Sequence, residues 1–142
     1  MKIIVNTYLL WGMWQDIKER QIGNLYLIVG AVGGLIICLL KIWIAGFIFE
    51  EWVAALIPGV FLLISAKVWK EKIGLGDGLL LLVLGNFFRI GELWLILQVA
   101  AVLLIIFSIL LLSSKKASKD CQIPFLPFLW IAHTLLWGLH YV

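Results

Sequence analysis

The sequence predicts an all-α, polytopic membrane protein with six transmembrane helices, two of them short, in one domain covering residues 1–142. Three observations carry that expectation. Of 142 residues, 64% are hydrophobic and only 13% charged, and the mean hydropathy is +1.13. A water-soluble domain of this size has too little interior to hide so much apolar side chain. The apolar residues fall in runs close to the ~20 that cross a hydrocarbon core of ~30 Å, and the basic residues gather in alternate loops.

Taken in order, Ile3–Gln15 is the first span, short, with Asp16 directly after it. Met1–Trp14 holds one basic residue, an apolar run and no small-residue cleavage site, so it is read as a retained helix and not a signal peptide. Leu25–Ile44 and Trp52–Trp69 are of full length, and Pro58 with Gly59 is expected to kink the second of them. Leu79–Arg89 is the other short span and follows Asp77. Leu93–Leu112 is again of full length, and Ile123–Tyr141 is weakened by Pro124, Pro127 and His133. His133 is expected to be a buried, hydrogen-bonded residue facing another helix, and Asn86 and Gln98 to be interhelical hydrogen-bond partners.

Charge orients these spans. With both termini outside, the inner loops hold Lys18, Arg20, Lys67, Lys70, Lys72, Lys115, Lys116 and Lys119. That is eight of the eleven basic residues, and only Lys2, Lys41 and Arg89 remain outside. The excess of positive charge inside favours an N-out, C-out arrangement. Trp43, Trp52 and Trp94 then fall in the outer interfacial belt and Trp69 in the inner one. The net charge of +3 reads as topology first and contact with anionic lipid second, and nothing points to nucleic acid. Cys38 and Cys121 have neither a metal-ligand spacing nor a framework for a disulfide, and both are read as reduced and inert.

Two stretches resist a purely apolar reading: "WQDIKERQIGN" around Asp16 and "IGLGDGLLLLVLG" around Asp77. As helix, the residues before Asp16 cover only about 22 Å, less than the core, which puts Asp16 at or just below the cytoplasmic boundary. Asp77 follows the cytoplasmic lysine cluster and opens the fourth span, on the same side and at similar depth. An acid at the edge of a membrane is a functional candidate by default. Two neighbouring carboxylates do not both ionise cheaply, so they share a proton. One carboxylate then activates water while the other acid protonates a carbonyl oxygen, the division of labour in aspartic proteases. Such a pair needs no metal and no cofactor. Gly74, Gly76 and Gly78 let the backbone bend and let a substrate strand approach. Each aspartate alone also has a structural reading: Asp77 as a helix N-cap, and Asp16 as an exposed juxtamembrane acid beside Lys18 and Arg20. Their occurrence together on one side of the membrane favours the catalytic pair.

Three motifs from Asp16 to Leu129 resemble those of the type IV prepilin peptidases. The first is "DIKERQIGN", with Ile22 and Asn24 in register and Gly23 where proline is usual. The second, usually GxGDxKL followed by a glycine, is "GLGDGLLLLVLG", matching at Gly74, Gly76, Asp77, Leu80 and Gly85. Leu79 replaces the usual lysine, which removes a charge two residues beyond Asp77 where it could tune the pair or orient a leader peptide. The third, usually PFGPF, is "PFLPF", with Pro124, Phe125, Pro127 and Phe128 matching and Leu126 in place of glycine.

The resemblance implies that Asp16 and Asp77 are the catalytic pair and that Gly74, Gly76, Gly78, Pro124, Phe125 and Pro127 are motif or substrate-contact positions. It implies an aspartic endopeptidase of the cytoplasmic membrane that cuts the basic leader from a pilin-like precursor at the cytoplasmic face, commonly after glycine. Leu25 follows within nine residues of Asp16 and no CxxC occurs, so the chain looks like the short, peptidase-only type without N-methyltransferase activity. The implied partners are the precursor and membrane lipid, with self-association into a homo-oligomer left open. GLGD is also similar to the motif of presenilin and signal-peptide-peptidase proteases, but those are longer and carry a Pro-Ala-Leu motif that is absent here. The alternatives from another class are a non-catalytic subunit of a pilus or secretion assembly and a small proton-coupled carrier. A carrier would show more polar residues through its spans than Ser65, Asn86, Gln98, Ser108 and His133.

Overall fold

In a computed structural model, which describes residues 2–19, 22–45, 49–68, 74–113 and 123–140, the chain forms helices α1 (Lys2–Glu19), α2 (Asn24–Ala45), α3 (Phe49–Val68), α4 (Leu75–Gly85), α5 (Ile90–Ser113) and α6 (Leu126–Gly138). No strand occurs among the described residues. The expectations attached to Arg20, Trp69, Lys70, Lys72, Lys115, Lys116, Lys119 and Cys121 lie outside them. Three helices are long and apolar enough to cross a membrane, over Asn24–Trp43, Phe49–Val68 and Ile90–Ser113. This is an all-helical membrane protein.

The long helices begin and end within a few residues of the apolar runs, as expected where burial in lipid and backbone self-satisfaction both demand a helix. The short ones differ. α4 starts at Leu75 and ends at Gly85, four residues ahead of the run Leu79–Arg89 at both ends. α6 is shorter than Ile123–Tyr141 on both sides, and its proline lies in the first turn, where a missing amide costs nothing.

The chain divides into two compact units, Met1–Arg20 with Trp94–Val142, and Gln21–Leu93. In the second unit α3 and α4 pack antiparallel on small residues. A Cβ built on Gly85 would stand 2.6 Å from the Ala55 carbonyl oxygen, one on Gly59 2.6 Å from the Leu82 nitrogen, and one on Gly78 3.1 Å from the Leu63 nitrogen. Small residues let backbones approach this closely, and in lipid that contact replaces the missing hydrophobic drive. Gly59, which the sequence suggests as part of a kink with Pro58, is a packing position in a helix that continues past that proline.

α2 runs in the same direction as α4. Ile22 lies against Gly76 near its start, and Gly34 lies against Asn86 and Phe87 near its end. With 11 residues, α4 is only about 16 Å long, so its last carbonyls need donors away from bulk water. Asn86 donates to the Leu82 carbonyl at 3.0 Å and accepts from the Trp52 indole of α3, also at 3.0 Å. The Lys41 ammonium of α2 donates to the Phe87 carbonyl. Lys41 thus closes the end of a short helix.

In the first unit α1 and α6 are antiparallel, with Asn6 bonded to Thr134 at 3.2 Å and Asp16 bonded to Leu126 at 3.0 Å. Val5 and Leu9 of α1 and Leu129, Ala132 and Leu136 of α6 are buried in this unit. The Phe107 ring of α5 meets Phe128 of α6 at 5.3 Å. His133 is fully buried, with its ring 6.4 Å from that of Trp137. Gln98, by contrast, is exposed.

Candidate functional site

Asp16 sits in the last turn of α1 and is buried, not exposed beside its basic neighbours. Lys18 instead lies over the Trp14 ring, 5.2 Å from its centre. The Asp16 carboxylate accepts the backbone N–H of Leu126 at 3.0 Å. Leu126 opens α6, and the residue before it, Phe125, offers no capping side chain. The first amides of a helix have no partner within it and carry its positive end. A carboxylate 110 residues away in sequence meets both needs.

This contact falls within the third motif. Pro124 and Phe125 are half-buried in the approach to α6, and Pro127 stands in its first turn. Leu126, where glycine is usual, is completely buried. Its side chain fills the core while its amide reaches Asp16.

Asp77 occupies the third position of α4 and is half-buried. It is not the N-cap. That place belongs to Gly74, whose φ of −63° and ψ of 117° are extended and whose carbonyl accepts the Asp77 amide at 3.2 Å. The Asp77 carboxylate folds back toward this cap: a Cβ on Gly74 would stand 3.1 Å from Asp77 Oδ2. Gly76 and Gly78 are inside the helix, so neither bends the chain. Gly76 admits Ile22 of the first motif, whose side-chain carbons would be 3.3–3.5 Å from an added Cβ. Gly78 admits Leu63 of α3. Each glycine of the stretch thus leaves room for a different neighbour.

The structure brings together Asp16 with the third motif, in the first unit, and Ile22 with Gly76, the residue before Asp77, in the second. Sequence reasoning missed the Leu126 amide and the Lys41 contact, and it expected Asn86 to bond between helices without naming Trp52 as the donor. Backbone donors leave no trace in residue type, and the other two pairs join residues more than thirty positions apart. Among the described residues no three His, Cys, Asp or Glu side chains gather as a set that could hold a metal ion.

Comparison with known proteins gives one match. The profile described as the type IV leader peptidase family matches residues 3–109, a span that contains both aspartates and the GLGD stretch but ends before "PFLPF". No curated protein and no solved structure matches the chain.

Proposed function

Because the chain belongs to the type IV leader peptidase family, we propose that it is an aspartic endopeptidase of the cytoplasmic membrane that removes the basic leader of a pilin-like precursor. Asp16 and Asp77 form the catalytic pair. The ionised carboxylate takes a proton from water, and that water attacks the scissile carbonyl. The other aspartate donates its proton to the carbonyl oxygen, and the tetrahedral intermediate then collapses as the leaving amine is protonated. The two units work as a single peptidase domain.

One observation carries this reading beyond family membership. Six positions after Asp16, Ile22 rests on Gly76, the residue before Asp77. The first and second motifs thus meet at this contact, within the second unit. In addition, Asp16 is buried against a helix N-terminus and Asp77 is half-buried at another, as groups kept for chemistry and shielded from bulk solvent would be.

The proposed topology has six crossings with both termini outside. The antiparallel pairs α1/α6 and α3/α4 and the parallel pair α2/α4 agree with the alternation that six crossings require. Cleavage then takes place at the cytoplasmic face, where the leader of an inserting precursor meets its apolar helix.

The test is a gel-shift cleavage assay on a pilin-like precursor in liposomes or detergent, with and without a chelator. The proposal expects a single shortened product and the same rate in both. An intact precursor after prolonged incubation, with the protein shown to be inserted and folded, would favour a non-catalytic assembly subunit.

A further inference from the structure

We propose that the N-terminus of α6 positions the Asp16 carboxylate for catalysis, with the Leu126 amide holding Asp16 Oδ2 and the Phe125 amide also donating to the carboxylate. This rests on the aspartic peptidase reading and adds a specific role for the third motif. The hydrogen bond is 3.0 Å long and buried, and it joins the first motif to the third across nearly the whole chain. Asp16 lies in the last turn of α1, and the antiparallel seam with α6, tied at its far end by Asn6 and Thr134, leads directly to that amide.

The chemistry favours a positioning role over a purely structural one. An N–H donor directed at one carboxylate oxygen removes the rotational freedom of the group and stabilises its charged form. General-base catalysis needs both, because the base must be ionised and held within hydrogen-bond reach of the water it activates. Leu126 contributes no side-chain chemistry. Its amide is a donor because α6 begins there; the Phe125 side chain does not cap the helix, and its backbone amide is a second donor to Asp16. Pro127 one residue later helps to start the helix at this point.

The experiment replaces the Leu126 amide with an ester, by incorporating the α-hydroxy analogue of leucine at position 126 of the full chain. This removes the N–H and keeps the side chain. The matched control is the same exchange at Phe128, whose amide donates to the Phe125 carbonyl at 3.2 Å and not to Asp16. Leu126→Ala, which keeps the N–H and removes the side chain, separates packing from donation, and Asp16→Asn is measured beside them. The expected result is a fall in kcat of about tenfold or more for the Leu126 ester, in line with loss of a hydrogen bond to a charged group, with KM little changed. Its acidic limb of activity moves to higher pH, because the ionised form has lost a donor. The Phe128 ester and Leu126→Ala keep the wild-type limb. If the two esters behave alike in kcat and in pH profile, the positioning role is overturned while the peptidase reading stands, provided Asp16→Asn is inactive. If Asp16→Asn still cleaves, the peptidase reading fails and this inference fails with it.

Discussion

At the scale of single residues, the two aspartates are held in different ways. Asp16 accepts a backbone amide from another helix, whereas Asp77 folds toward the cap of its own. The glycine at that cap leads to a prediction. A methyl group on Gly74 would press on the Asp77 carboxylate at 3.1 Å, so Gly74→Ala should impair cleavage more than folding. A kcat loss of tenfold or more with an unchanged unfolding midpoint in detergent is expected, and an unaffected kcat would contradict it. Leu79 is a different case. Its sequence position suggests that lysine there would act on Asp77, but both residues are helical, and positions two apart point about 200° away from each other around the axis. Leu79 is also 42% exposed, so a lysine there is not forced into the protein core. Leu79→Lys should therefore keep both its stability and its acidic limb of activity. A cation that did reach the pair would favour its charged form and move that limb to lower pH; a shift in that direction by half a pH unit or more would show that the side chain curls back.

At the scale of elements, α4 depends on contacts that its own sequence does not advertise. Two glycines inside a helix cost roughly 1 kcal/mol each against alanine, which is why the stretch before Leu79 reads as loop. The close approach of α3 and Ile22 offsets that cost, and the helix begins four residues early. Gly85→Ala should destabilise the protein by about 1–3 kcal/mol, because the new methyl meets a backbone carbonyl at 2.6 Å that has no room to move. Gly91→Ala, with nothing within 4 Å, is the control and should be neutral. Thermal unfolding in detergent distinguishes the two. Lys41→Met keeps the apolar stem and removes the donor to Phe87. A loss of about 1–3 kcal/mol is expected from removing this charged donor, and an unchanged midpoint would mean that the ammonium contributes nothing there that water does not replace. The long helices were legible from the sequence because twenty apolar residues admit one solution in lipid. The short ones were legible only in outline, because their ends are set by tertiary partners such as Asp16 for α6 and Lys41 for α4.

At the scale of the whole molecule, the class of protein followed from composition, and the motifs were visible around Asp16, Asp77 and Pro124. The bond between Asp16 and Leu126 was not, since no local pattern relates residues 110 positions apart. Topology is open to direct measurement: cysteine labelling should find positions 18, 70 and 116 on the cytoplasmic side and positions 50 and 92 and the C-terminus outside. A C-terminal reporter found inside would remove one crossing and with it the expectation that both aspartates share a face. The central claim is that two carboxylates perform the cleavage together. The most direct measurement is turnover of a pilin-like precursor by wild type, Asp16→Asn and Asp77→Asn in the same liposomes, with insertion of each confirmed by protease protection. Both variants are predicted to insert normally and to leave the precursor uncut; substantial cleavage by either one would contradict the two-aspartate mechanism.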